Sequence, residues 1–272
     1  MSKLVVLTEF LKRPKKIITN GYQATKIAEK TVDYESKIKS KYNIERLPSI
    51  DISHLIPDLY DQLDIYSFLP NTSMITDLLL LRGLAKRYSK CAYLEIGIHR
   101  GESLVAVAGV TSDCTGLTLS AAEMTRMGFP KEVIDVQGLF IKDRKDIKVY
   151  EENSLTFDFK SLNKKYDLIF VDGDHEHDSV VKDTQNVFKL LKNEQSIIVW
   201  HDYGVTNEIV RHEVLAAILE GTPTEYHKNL YHVSSTMCAV FINGNFPTFQ
   251  NLPNLYPNKY YTVSVKMHKM SE

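Results

Sequence analysis

The sequence has few cysteines and no long apolar run. Its three cysteines, Cys91, Cys114 and Cys238, are odd in number, widely spaced and include no C-x-x-C pair. This pattern argues against a disulfide framework and against a thiolate zinc site, and it fits a reducing compartment. No apolar run approaches the ~20 residues that span a bilayer. We therefore expect a cytoplasmic protein that does not enter a membrane.

The sequence also lacks an excess of charge of either sign. It has 33 Lys and Arg residues against 34 Asp and Glu residues, a formal net charge of −1. This balance offers no electrostatic attraction to nucleic acid or to an anionic membrane, so neither is expected as a partner. We interpret the short basic run at residues 12–16 as a solvated segment. No signal peptide is expected, because the apolar stretch Leu4–Leu7 is short and Glu9 follows soon after it.

The composition and the hydrophobic pattern of the sequence change near residue 70. Residues 1–70 are rich in lysine and tyrosine and are broken by prolines, and the stretch Tyr22–Tyr42 is predicted to be a weakly amphipathic helix. We interpret residues 1–70 as an N-terminal helical extension that either caps a pocket or mediates contacts in a homo-oligomer. Residues 71–272 are predicted to form the main domain.

Strand-like apolar runs alternate with helical patterns from residue 72 onward. A first helix is predicted to begin after Thr72 or Ser73. Strands that are apolar on both faces are typical of a parallel sheet covered by helices on both sides. The predicted strands lie at residues 92–96, 115–119, 147–150, 166–171 and 195–200, and the helices near 102–110, 121–128, 178–192 and 206–220. This order predicts an α/β fold with a doubly wound, mostly parallel Rossmann-like sheet that binds ligands at the carboxyl ends of its strands.

Three further strands are predicted after residue 225. They lie at residues 227–234, 237–243 and 259–268, and Asn243-Gly244 is a turn signal between the last two. We expect these strands to complete the sheet with an antiparallel edge.

The first strand of the alternating series leads into a loop with two glycines. Residues 93–103 read Tyr-Leu-Glu-Ile-Gly-Ile-His-Arg-Gly-Glu-Ser, so Gly97 and Gly101 are four residues apart. The G-x-G-x-x-G pattern has a middle glycine that lets the backbone approach a pyrophosphate, and here position 99 is histidine. The loop therefore favours a nucleoside without a diphosphate.

Polar side chains follow each of the five strands. Because the carboxyl ends of parallel strands meet at one edge of a sheet, we expect these side chains to converge in one crevice. A purely structural sheet has no need of so many carboxylates, imidazoles and hydroxyls at its strand ends. In chain order they are Glu95, Thr118 with Ser120, Glu151-Glu152-Asn153-Ser154, Asp172-Gly173-Asp174-His175 and His201-Asp202-Tyr203.

The order of these strand ends resembles the class I S-adenosylmethionine-dependent methyltransferases. Four motifs over about residues 72–243 carry the resemblance: L-E-I-G-x-x-x-G-x-S, G-L-T-L-S, Y-D-L-I-F-V-D-G-D-H and I-I-V-W-H-D-Y. The last two are most similar to a bacterial branch whose fourth strand ends in Asp-Gly-Asp-His and whose fifth ends in His-Asp. The resemblance implies a transferase that uses S-adenosyl-L-methionine and acts on a small-molecule acceptor.

The resemblance also implies roles for individual residues. Thr118 departs from the family pattern, because many members have an acid there that binds both ribose hydroxyls; a threonine loses that bidentate, charge-assisted bond. By position, Glu95, Gly97, Gly101 and Ser103 would line the methionine part of the cofactor, Thr118 and Ser120 the ribose, Asn153 and Ser154 the adenine, and Asp172 the sulfonium and the acceptor.

The catalytic candidates Asp172, His175, His201 and Asp202 have two interpretations. In the catechol-type O-methyltransferases of the same superfamily, residues at these strand ends hold a divalent metal ion, which would make Asp172, His201 and Asp202 ligands. Without a metal, His201 or His175 would take the proton from an acceptor hydroxyl, because imidazole titrates nearest to neutral pH.

The leading hypothesis is O-methylation of a small hydroxylated acceptor such as a sugar, the acceptor being implied by the resemblance alone. One alternative is a non-enzymatic, partner-binding protein on a methyltransferase scaffold, suggested by Thr118 and by the long N-terminal extension. The other is a dinucleotide-dependent oxidoreductase, which the histidine at position 99 disfavours.

Overall fold

The computed structural model describes residues 33–206, 209–250 and 259–270. The chain divides into two compact units between Asn43 and Ile44. In the first unit, α1 (Tyr34–Tyr42) begins after Asp33, whose carboxylate accepts a hydrogen bond from the backbone N–H of Ser36. The predicted helix at Tyr22–Tyr42 is thus helical over its described part; its residues before 33, and the basic run at 12–16, lie outside the described residues.

Among the described residues, nine strands form the sheet at the centre of the second unit, in the order β4-β3-β2-β5-β6-β8-β7-β1-β9. The five strands from β4 to β6 are parallel to one another, whereas β8 is antiparallel to β6 and β7, and β9 is antiparallel to β1. The strands are β1 (Ser49–Ile50), β2 (Ala92–Ile96), β3 (Asp113–Thr118), β4 (Ile147–Glu151), β5 (Leu168–Val171), β6 (Ile197–Trp200), β7 (Leu230–Val233), β8 (Ala239–Phe241) and β9 (Thr248–Phe249). The predicted mostly parallel Rossmann-like sheet with an antiparallel edge is confirmed.

Helices flank the sheet. They are α2 (Ile52–Leu55), α3 (Ile75–Ala85), α4 (Glu102–Ala108), α5 (Ala121–Arg126), α6 (Lys131–Asp135), α7 (His177–Phe188) and α8 (His212–Gly221), with 3₁₀ turns at Phe159–Leu162 and Thr224–Asn229. The central strands are buried on both faces: Leu168 and Phe170 in β5, and Val199 in β6, have no exposed surface. This burial explains why those strands are continuous apolar runs in the sequence. Among the described residues, no helix is long and apolar enough to cross a bilayer.

Three predicted elements differ from the structure. The helix predicted near 206–220 begins only at His212, because the backbone N–H of Val205 donates to Ile209 O and closes a turn there. The helix predicted at 178–192 ends at Phe188, after which the backbone N–H of Lys192 donates to Tyr166 O beside the sheet. The strand predicted at 259–268 is wrong: those residues have no regular structure and are largely exposed, because alternation makes a strand only where a neighbouring strand pairs with it.

The expected domain boundary at residue 70 stays a prediction. Strand β1 and helix α2 precede that boundary and lie in the same compact unit as the rest of the sheet. Strand β1 pairs with β7 through Ser49 opposite His232 and Ile50 opposite Val233. All three cysteines are free and buried.

Candidate active site

The loop after β2 has left-handed backbone at Gly97, His99 and Gly101, with φ angles of 89°, 45° and 92°. A Cβ atom on Gly97 would lie 1.9 Å from the carbonyl oxygen of Asp172, so only glycine allows the ends of β2 and β5 to approach this closely. Gly101 is the residue from which α4 begins. The first and fourth predicted strand ends therefore touch, as a shared crevice requires.

Glu95 in β2 is fully buried. The Tyr93 hydroxyl donates to one carboxylate oxygen at 2.6 Å, and the Ser103 hydroxyl donates to the other at 2.7 Å. Burial raises the pKa of Glu95 to about 8, although the two hydroxyl donors oppose the shift. The structure thus brings Glu95 and Ser103 together as a bond between β2 and α4. Their predicted contact with the methionine part of a cofactor stays a prediction.

Two residues that the sequence does not single out, Gln137 and Glu123, bond the side chains at the ends of β3 and β4. The Gln137 amide donates to the Thr118 hydroxyl. Ser120 accepts a hydrogen bond from the backbone N–H of Glu123 at 3.2 Å and caps α5, and the Glu123 carboxylate accepts from the Asn153 amide at 3.3 Å. Thr118, Ser120 and Asn153 therefore lie at neighbouring strand ends, as expected for one ligand surface.

Ser154, which lies next to Asn153, contacts the carboxylate of Asp183 and not that of Glu123. Its side chain bonds Asp183 in α7, and burial raises the pKa of Asp183 to about 7 despite that hydrogen bond. Ser154 is thus connected to α7, which follows β5. Its predicted role near an adenine remains untested.

Asp172, His201 and Asp202 form one cluster at the ends of β5 and β6. The Nδ1 atom of His201 lies 3.1 Å from Asp172 Oδ1 and 3.1 Å from Asp202 Oδ2. One side-chain nitrogen or oxygen from each of the three residues fits within 4.8 Å of the others, a spacing that could hold a metal ion. Asp202 has a φ angle of 55°, a left-handed conformation that is uncommon outside glycine.

His175 and Arg211 complete the cluster on its exposed side. His175 Nδ1 lies 3.1 Å from Asp202 Oδ2, and Arg211 Nη2 lies 3.4 Å from Asp202 Oδ1. The His175 side chain is 47% exposed, whereas that of His201 is 8% exposed. The structure therefore brings together all four predicted catalytic residues. Asp174, between Asp172 and His175, accepts a hydrogen bond from the backbone N–H of Glu176 and shapes the turn before α7.

Electrostatics favour a positive charge at His201. Burial lowers its pKa, but the charge of Asp172 and the bonds to Asp172, Asp202 and Asp77 outweigh burial and raise the pKa well above its ordinary value. Burial alone would raise the pKa of Asp202. The hydrogen bond to His201 and the charge of its ring outweigh burial, so the pKa of Asp202 is lowered. Three carboxylates around one imidazole favour a cation, either a proton on the ring or a metal ion.

Asp77 was not selected by the sequence analysis. It is fully buried in helix α3, directly before the run Leu78–Leu81, and its Oδ2 atom lies 3.1 Å from His201 Nε2. Its carboxylate also accepts the backbone N–H of Met74, so α3 is capped from Asp77 and not from the predicted Thr72 or Ser73. The available signal was an acid within the run I-T-D-L-L-L-L.

A segment N-terminal to α3 contacts the glycine loop. Arg100 Nε lies 3.2 Å from a Glu102 carboxylate oxygen, and both side chains are buried. Glu102 also accepts from the hydroxyls of Ser67 and Thr72, and Arg100 donates to Pro70 O. Residues 67–72, predicted as part of the cap and as the start of α3, are thereby fixed beside Gly101.

Comparison with known proteins gives the class of this fold. Residues 94–203 match the family model of a methyltransferase domain. This match confirms the resemblance to the class I S-adenosylmethionine-dependent methyltransferases; the narrower bacterial branch remains a prediction. It favours neither the non-enzymatic alternative nor the oxidoreductase.

Several solved structures are also similar. The O-methyltransferase from Bacillus cereus, in complex with SAH, is 16% identical over 64% of this chain and 84% of that one, with a TM-score of 0.41. The N-methyltransferase NodS from Bradyrhizobium japonicum is 14% identical over 62% and 87%, with a TM-score of 0.40. The YcgJ protein from Bacillus subtilis is 18% identical over 46% and 49%, with a TM-score of 0.35, so the chain spans about half of that protein. No curated protein matches the chain.

Proposed function

We propose that this chain transfers a methyl group from S-adenosyl-L-methionine to a hydroxyl group of a small acceptor such as a sugar. The supporting observation is the convergence of Asp172, His175, His201 and Asp202 at the carboxyl edge of the sheet. Asp172 O is also in contact with the loop at Gly97. A donor on the loop and an acceptor at the cluster would then be neighbours.

The loop residues Gly97 and Gly101 suit a nucleoside with an amino-acid tail. Thr118, Ser120 and Asn153 offer one hydrogen-bonding surface at the next two strand ends, where a ribose and an adenine would lie. When bound, S-adenosylmethionine supplies an electrophilic methyl group. The task of the protein is then to hold the acceptor oxygen in line with that group at a short distance.

The acceptor hydroxyl must lose a proton as its oxygen is methylated, and His175 is the better base. His201 is held among Asp77, Asp172 and Asp202 and has little exposed surface. His175 is exposed and oriented by the Asp202 carboxylate, which would stabilise the imidazolium that forms. A proton taken by His175 can therefore pass to solvent.

A divalent cation at Asp172, His201 and Asp202 is part of the proposal. The donor set fits, since two carboxylate oxygens and one imidazole nitrogen face one another within 4.8 Å. A mixed nitrogen and oxygen set suits Mn²⁺ or a softer ion better than Mg²⁺, which prefers oxygen ligands. When bound, such an ion would polarise and orient the acceptor oxygen.

Calorimetry with S-adenosylhomocysteine tests the cofactor assignment directly. We expect saturable binding in the micromolar range or tighter. Absence of binding at high micromolar concentration, with circular dichroism showing folded protein, would overturn the proposal. A transfer assay with methyl-labelled S-adenosylmethionine and a panel of hydroxylated acceptors then tests the acceptor class.

A further inference from the structure

Asp77 has surroundings that a helix cap alone does not require. Its carboxylate contacts the Met74 N–H at 2.8 Å, the Met237 N–H at 2.9 Å and His201 Nε2 at 3.1 Å, and the buried Cys238 thiol also hydrogen-bonds to it. The first caps α3 and the second ties α3 to the turn before β8. The third reaches across 124 residues of sequence to the centre of the candidate site.

The two nitrogens of His201 face opposite sides. Nε2 faces the fully buried Asp77, and Nδ1 faces Asp172 and Asp202. Carboxylates lie beside both nitrogens, so without a bound cation the ring is expected to carry a proton on each. A cation between Asp172 and Asp202 would take the lone pair of Nδ1 in place of that proton, and the proton that stays would be the one on Nε2, beside Asp77.

We propose that Asp77 is a positioning residue that holds the Nε2–H of His201 and so presents Nδ1 to the space between Asp172 and Asp202. This inference rests on the cation site of the proposed function. Metal-binding histidines commonly donate their second N–H to a carboxylate, which fixes the tautomer and ring orientation and strengthens the ligand. Removing such a partner typically lowers metal affinity 10- to 100-fold.

Asp167 provides a matched control. It is also buried, and its Oδ2 accepts the backbone N–H of Ala92 at 2.9 Å and the Lys192 ammonium at 3.0 Å. It precedes β5 at the amino end of the strand, whereas Asp172 follows the carboxyl end. Asp167→Asn therefore removes a buried carboxylate of the same kind from the opposite edge of the sheet.

The experiment compares Mn²⁺ affinity, measured by electron paramagnetic resonance, in wild type, Asp77→Asn and Asp167→Asn. We expect about a tenfold or larger loss of affinity in Asp77→Asn and no change in Asp167→Asn, at comparable losses of thermal stability. Unchanged affinity in a folded Asp77→Asn variant would overturn the proposal and leave Asp77 as a cap.

Nitrogen-15 NMR of His201 in wild type gives a second measurement that does not depend on the folding of Asp77→Asn; His201→Gln serves only to assign the resonance. In wild type supplied with Zn²⁺, a protonated Nε2 with a bare Nδ1 supports the proposal. A bare Nε2, with or without the cation, overturns it. Wild type that binds S-adenosylhomocysteine but no Mn²⁺ would remove the cation site, and the NMR result would still decide the role of Asp77.

Discussion

His175 Nδ1 lies 3.1 Å from Asp202 Oδ2, and His201 Nδ1 lies 3.1 Å from the same oxygen. One carboxylate oxygen thus contacts an exposed imidazole and a buried one. The buried ring is fixed on both sides by carboxylates, whereas the exposed ring can exchange protons with solvent. The two histidines, from the ends of β5 and β6, therefore differ in their access to solvent, as the different roles proposed for them require.

The first prediction concerns the base. His175→Gln should lower kcat by about 10²-fold or more, because general-base catalysis contributes about that much, and should leave S-adenosylhomocysteine affinity unchanged. Methyl-transfer kinetics and calorimetry on the same preparation measure both quantities.

His177→Gln is the control for that substitution. His177 lies two residues further on and contacts Asp178 and Glu220 instead of the cluster. Equal losses of kcat in the two variants would show that His175 acts through the turn before α7 and not as a base.

The second prediction uses the buried carboxyl of Glu95, whose pKa burial raises from an ordinary value of 4.5 to about 8. Between these values the folded state binds a proton that the unfolded state lacks, so stability falls as pH rises through this window. Glu95→Gln should remove this contribution and flatten the curve by up to about 1.4 kcal/mol per pH unit. Urea denaturation of wild type and Glu95→Gln from pH 5 to pH 8 measures the free energy of unfolding of each. Parallel curves of that free energy against pH would refute the raised pKa of Glu95.

The third prediction separates close approach from backbone strain. Gly97 and Gly128 both have left-handed φ angles, 89° and 83°, but a Cβ on Gly97 would meet Asp172 O at 1.9 Å, whereas Gly128 has nothing within 4 Å. Gly128→Ala should cost about 1–2 kcal/mol of stability from strain alone. Gly97→Ala should cost about 2–5 kcal/mol because the ends of β2 and β5 must also separate.

Urea denaturation measures both glycine variants, and calorimetry with S-adenosylhomocysteine should show a loss of affinity for Gly97→Ala alone. Equal stability losses would mean that the contact with Asp172 relaxes without cost.

The sequence was sufficient for features with a local signal. The strand at 92–96 was predicted to the residue, since a buried run and a glycine loop bound it. The cluster of Asp172, His201 and Asp202 followed from the rule that parallel strands end at one edge. The contact of Asp77 with His201 does not follow from that rule, because Asp77 lies in a helix, 124 residues before His201, and the rule covers only residues at strand ends.

Other differences between sequence and structure have equally physical causes. The contact of Glu95 with a ligand stays a prediction, but the sequence does not show that Tyr93, two residues away on the same face of β2, and Ser103 bond its two oxygens. Residues 259–268 alternate like a strand and yet form no strand, because alternation carries no information about which edge of a sheet is open.

The last prediction tests whether a ribose lies at the end of β3. Thr118 occupies the position of the acid that many class I methyltransferases use there, and its hydroxyl accepts from the Gln137 amide. Thr118→Asp would restore a charged acceptor for both ribose hydroxyls, and charge-assisted hydrogen bonds are about twice as strong as neutral ones. We expect S-adenosylhomocysteine to bind about five- to tenfold more tightly to Thr118→Asp than to wild type. The control is Thr118→Asn, whose side chain has the shape of aspartate without the charge, and we expect its affinity for S-adenosylhomocysteine to equal that of wild type. Calorimetry on the three proteins decides it: tighter binding in the aspartate variant alone places the ribose beside residue 118, whereas equal affinities in all three place it elsewhere.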